Sequence, residues 1–143
     1  MMRGFWSDSA KVVLHHLCQD TIEGQHALSC SMGDTMFIQA YNQQAQAVHQ
    51  TAKEKGWWDT ERNDGEIIAL MHSELSEALE AMRHGNPPDD HIPQFTAVEV
   101  ELADLIIRVM DFGAARGYRI AEALVAKAAY NQTRAHKHGG KRF

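Results

Sequence analysis

Between Met36 and Arg134 the apolar positions recur at intervals of three and four residues, and each run is bounded by residues that cap or end helices. The first run spans Met36 to about Lys55, with Phe37, Ile38, Tyr41, Ala45, Val48 and Ala52 on one side, glutamines opposite, and Gly56 closing it. Asn63 is placed to cap a second helix, with Glu66 three residues on as the reciprocal partner of a capping box, and Gly85-Asn86-Pro87-Pro88 stops that helix after about His84. A polar loop over 85–95 follows. Thr96 and Glu99 make a second capping-box pair and open a third helix that runs to about Arg116, with Gly117 as its punctuation. A fourth helix, rich in alanine and leucine, covers Arg119 to about Arg134. No strand pattern and no internal repeat is present. The pattern predicts an all-α, four-helix-type bundle over 36–143, preceded by an N-terminal extension over 1–35 in which Ser9 to Cys18 has the spacing of a short helix and 21–35 reads as loop. The last two helices carry more apolar surface than a small monomer readily covers, which predicts a homodimer or homotetramer.

The third helix breaks its own pattern. Glu101, Asp104, Arg108 and Asp111 fall on one narrow face at roughly 100° per residue, while Leu102, Leu105, Ile106, Ile107, Val109 and Met110 occupy the rest. Carboxylates on a helix destined for a bundle interior are costly unless a cation, a counter-charge or a wet pocket meets them. The second helix supplies a matching pair, Glu74 and Glu77, three residues apart on one face. Antiparallel packing of the two helices brings the four carboxylates together, where they repel one another and raise each other's pKa. A divalent cation resolves that conflict, and all-oxygen ligation points to Mg²⁺ or Mn²⁺. Because Mg²⁺ commonly bridges to substrate phosphates, the implied reaction is hydrolysis of a phosphorylated small molecule, with Glu77, slightly favoured over Glu74, orienting the attacking water. Glu80 lies off this face and reads as a surface partner of Arg83, whereas Arg108 and Asp111 read either as a pair or, for Asp111, as a supporting carboxylate.

Composition narrows the options. A chain of 143 residues, 44% hydrophobic and 23% charged, suits one domain. It has no apolar run long enough to span a bilayer and no signal-peptide pattern, so a cytoplasmic address is expected. Cys18 and Cys30 sit away from every candidate site residue. The net charge of −5 disfavours a nucleic acid polymer as partner. Its distribution is uneven: twelve of the nineteen acids lie between Glu61 and Asp111, and after Glu122 the chain is basic or neutral. An acidic middle facing a basic end suits a metal and the phosphates it touches. Trp57 and Trp58, in the turn after the first helix, are candidates to stack on a base, or for one of them to plug the bundle end.

The runs Ile68 to Glu80 with Glu74 and Glu77, Glu101-Leu102-Ala103-Asp104, Lys127 to Arg134 with Tyr130 and Asn131, and His138-Gly139-Gly140-Lys141 resemble the MazG-like family of all-α nucleoside triphosphate pyrophosphohydrolases. The resemblance covers roughly 36–143, including the turn Lys55-Gly56-Trp57-Trp58. It implies cleavage between the α and β phosphates to give the monophosphate and pyrophosphate, with Mg²⁺ held by Glu74, Glu77, Glu101 and Asp104. It further implies that Lys127, Asn131 and Arg134 contact phosphate or sugar, and their i, i+4, i+7 spacing independently puts them on one face. Lys141 is expected to join them. Alternatives are a phosphoribosyl-ATP or dUTP pyrophosphohydrolase within the same chemistry, or a non-catalytic helical interaction module with a structural cation site.

Overall fold

The computed structural model describes residues 31–136 and is all-helical there, with no strand. Helix α1 spans Met32–Glu54, α2 Asp64–Arg83, α3 Ala97–Arg116 and α4 Ile120–Gln132. The candidate helix over Ser9 to Cys18, both cysteines and Lys141 lie outside the described residues.

Local chemistry sets each boundary. Helix α1 starts at Met32, four residues before the expected Met36, because Ser31 and Asp34 form a complete capping box: the Asp34 N–H donates to Ser31 Oγ at 3.1 Å and the Ser31 N–H to Asp34 Oδ2 at 3.0 Å. Residues 32–35, expected as loop, therefore form the first turn of the helix. The expected box at α2 is half made. Asn63 Oδ1 accepts the Glu66 N–H at 3.2 Å, and no return bond from the Glu66 side chain is present. At α3 the box is complete, with Glu99 Oε2 accepting the Thr96 N–H at 2.8 Å. Those bonds also hold the Glu99 carboxyl below its usual pKa.

The loop between α2 and α3 is pinned to its ends. Gly85 and Asn86 adopt left-handed φ values of 83° and 51°, after which Asn86 Oδ1 accepts the Val98 N–H at 3.0 Å and Pro87 O accepts that of Ala97 at 2.9 Å. That turn returns α3 along α2. Helix α3 packs against both α2 and α1, while α4 packs mainly against α1. The tight α3 to α4 return depends on two glycines. A Cβ on Gly113 would sit 2.9 Å from Ile120 Cγ1, and Gly117 closes α3 at φ 67° with open space around it.

The core is thin: Ala45, Ile67, Met71, Ala78 and Ala121 are its buried apolar residues. By contrast Ile68, Leu75, Leu79 and Met82 form an exposed stripe along α2, continued by Leu102 and Ile106 on α3. Because no atom approaches a Cβ at Gly117, replacing it by alanine tests backbone strain alone. Gly117→Ala should destabilise the fold by about 1 kcal/mol and Gly117→Asn by less, measured by urea unfolding; equal stability of all three would refute the left-handed cap.

Candidate functional site

Helices α2 and α3 bring three of the four expected carboxylates into one cluster. One oxygen from each of Glu74, Glu77 and Glu101 lies within 4.8 Å of the others. Glu74 is buried, at 4% exposure, while Glu101 is half-buried and Glu77 exposed, so the cluster opens outward from the helix seam. Asp104, one turn further along α3, stands outside that grouping but close enough to feel it. Burial raises its pKa first and the Glu74 charge adds to this, with Arg108 pulling the other way and Asp89, from the loop, again raising it. Glu101 is raised by burial, by the charges of Glu77, Glu74 and Asp104, and by a hydrogen bond shared with Glu74. Hard carboxylate oxygens of this kind suit a small divalent cation. At the ~2.1 Å bonds of Mg²⁺, oxygens on one ion lie within about 4.2 Å of each other, so a modest side-chain adjustment closes the cluster on an ion.

The remaining stripe of α3 has partners that the sequence did not indicate. Arg108 does not pair with Asp111. Its Nε donates to Glu74 Oε1 across the α2–α3 seam, which compensates the buried carboxylate. Asp111 instead accepts from the Trp58 indole, at 2.9 and 3.1 Å, and meets His49 Nδ1 at 2.7 Å. It supports an aromatic side chain and touches no carboxylate of the cluster. Glu80 pairs with Arg83 at 3.2 Å on the surface, as its position off the face requires.

That bond to Asp111 fixes the tryptophan turn. The Trp58 ring stands edge-on to His49 with centroids 5.3 Å apart, and it is half-buried. Trp57 is 54% exposed and forms a wall of a cavity of about 420 Å³, whose other lining includes Val48, Arg62, Ile107, Asp104 and Arg108. Asp104 and Arg108 thus join the cavity to the carboxylate seam. Of the two indoles, Trp58 is the more buried and is fixed by Asp111, whereas Trp57 is the exposed one that lines the cavity. His49 and Arg62 escaped notice in the sequence and carried no signal there. Arg108 was read on the narrow face with Glu101 and Asp104, as one half of a pair with Asp111, and its partner is instead Glu74.

The chain does not bring the basic face of α4 to this site. Lys127, Asn131 and Arg134 are exposed, α4 packs mainly against α1, and none of the three lines the cavity. Lys127 Nζ and the Arg134 guanidinium instead lie 4.8 and 5.9 Å from the Tyr130 ring centroid.

The raised carboxyl of Glu101 stays protonated in the folded chain at pH values where the unfolded chain has released its proton. Its contribution therefore becomes unfavourable as pH rises from the ordinary carboxylate range through the raised value, and then levels off. In EDTA, Glu101→Gln should unfold at a higher temperature than the parent at neutral pH, with the difference vanishing near pH ~4. Added Mg²⁺ should stabilise the parent and not the variant. A variant less stable than the parent throughout would contradict the crowding. Separately, Asp111→Asn leaves a buried indole or imidazole donor poorly matched and should cost about 1–3 kcal/mol in denaturant unfolding; a cost near zero would mean the clamp on Trp58 is slack.

No family model matches the chain, and neither the curated proteins nor the solved structures compared with it contain a match, so the functional reading rests on the geometry and on the motifs themselves.

Proposed function

We propose that the chain is a Mg²⁺- or Mn²⁺-dependent nucleotide pyrophosphohydrolase that converts nucleoside triphosphates to monophosphates and pyrophosphate, with a role in clearing the cytoplasmic nucleotide pool. The observation that carries this reading is the convergence of Glu74, Glu77 and Glu101, flanked by Asp104, next to a cavity walled by Trp57. A carboxylate cluster suits a cation and its phosphates, and an aromatic-walled cavity of about 420 Å³ suits a base and sugar. The choice of the α–β bond rests on the resemblance to MazG-like pyrophosphohydrolases.

In this reading Glu74, Glu77, Glu101 and Asp104 hold the cation, which when bound supplies charge neutralisation at the phosphates and lowers the pKa of water. Glu77, the exposed member of the cluster, accepts a proton from the attacking water, while Arg108 orients the buried Glu74 through its Nε bond. Trp57 stacks on the base. The exposed stripe Ile68, Leu75, Leu79 and Met82, with Leu102 and Ile106, is covered by a second copy in a dimer or tetramer. In such an assembly, Lys127, Asn131 and Arg134 serve phosphates bound by a neighbouring subunit. None of the described helices is long and apolar enough to cross a membrane.

Purified protein incubated with Mg²⁺ and a panel of nucleoside triphosphates should release monophosphate and pyrophosphate. Glu101→Ala and Asp104→Ala should each lower the rate at least about 100-fold with the helical circular dichroism retained. Release of orthophosphate, or no turnover of any nucleotide, would overturn the assignment and favour an interaction module with a structural cation.

A further inference from the structure

Among the described residues Arg62 and Arg134 face no carboxylate, and Arg134 is exposed beside the Tyr130 ring. Arg83, Arg108, Arg116 and Arg119 each face a carboxylate, respectively Glu80, Glu74, Asp64 and Glu122. Arg62 has no carboxylate partner among the described residues, although it is half-buried and lines the 420 Å³ cavity. Its guanidinium lies 5.5 Å from the Trp57 ring centroid and 5.4 Å from that of Trp58, which also has the Arg116 guanidinium at 5.6 Å.

The position is held from three sides. Arg116 Nη2 donates to the Arg62 carbonyl at 3.1 Å and Arg116 Nε to Asp64 Oδ1 at 2.8 Å, which ties the backbone of this segment to the end of α3. The next residue, Asn63, is the N-cap of α2. Trp58 is fixed in turn by Asp111. A guanidinium packed against aromatic rings keeps its N–H edge available, and its planar fork is matched to two adjacent acceptors. No side-chain or backbone acceptor occupies that edge among the described residues, so the cavity presents a pre-set pair of donors.

The acceptor this fork meets follows from the layout of the site. The phosphates belong at the carboxylate seam, where Asp104 and Arg108 border the cavity, and Trp57 and Arg62, which line the same cavity, are left for the base. Resting on the function proposed above, we infer that Arg62 reads the edge of the nucleobase and selects bases that present two adjacent acceptors. Guanine and hypoxanthine offer O6 and N7, and cytosine offers O2 and N3. Adenine places an amino donor beside N7, which faces the guanidinium donors unfavourably. A thymine or uracil edge separates its carbonyls by an N–H donor, so it takes at most one of the two bonds.

The test uses the full chain and two readouts. Binding of dGMP, dIMP, dCMP, dAMP and TMP in Mg²⁺ is followed by quenching of tryptophan fluorescence, which needs no turnover, and kcat/KM is measured for the five triphosphates. The expected result is a preference for the first three nucleotides that Arg62→Ala reduces about 10- to 100-fold, with adenine nucleotides nearly unaffected. Arg62→Lys, which keeps the charge and loses the fork, should lose the preference as well while unfolding at the parent's temperature. Preference for guanine over cytosine nucleotides identifies the purine edge as the one read, and the reverse identifies the pyrimidine edge. Equal binding of all five nucleotides, or an equal loss for all five in Arg62→Ala, overturns the inference and leaves the hydrolase reading standing. Absence of both binding and turnover overturns the two together.

Discussion

Burying Glu74 between α2 and α3 is the constraint on which the rest of the site depends. At 4% exposure its charge is held in the seam by the Nε bond from Arg108. A buried carboxylate without that partner would cost several kcal/mol or would be protonated. With the partner in place, the seam accommodates a carboxylate beside which Glu77 and Glu101 crowd. Burial first, and then the neighbouring carboxylate charges, raise Glu101 and Asp104. The crowded carboxylates are the ones a cation would bind.

The charged stripe of α3 continues that logic along the helix. Glu101 and Asp104 face the cluster, Arg108 crosses to α2, Asp111 clamps Trp58 and His49, and Arg116 ties Asp64 and the Arg62 backbone. One face of one helix therefore sets both the carboxylate seam and the tryptophan turn. The cavity is lined by residues of both, with Asp104 and Arg108 from the seam and Trp57 and Arg62 from the turn.

Apolar burial contributes modestly within a single chain. Among the described residues the buried apolar set has three alanines out of five, and no large side chain is fully buried. Meanwhile leucines, isoleucines and methionines on α2 and α3 remain exposed in a continuous stripe. Burial of such a face against another apolar surface would add hydrophobic stabilisation.

Much of this protein was legible in its sequence, because the relevant signals are local. Helical periodicity, the Thr96–Glu99 box, the Gly117 stop and the Glu74/Glu77 and Glu101/Asp104 spacings depend on neighbours within a turn or two, and α2, α3 and α4 appear close to the boundaries they predict. The early start of α1 was missed although Ser31 and Asp34 carry the signal, since the run of apolar positions begins only after that cap. Tertiary structure alone decided the partners of Arg108, Asp111, His49 and Arg62, which join residues from 34 to 62 positions apart wherever they are hydrogen-bonded across the bundle. It also kept the basic face of α4 away from the carboxylates of its own chain. Spacing along one helix determines which side chains share a face, but which charge meets that face is set by the packing of another helix against it.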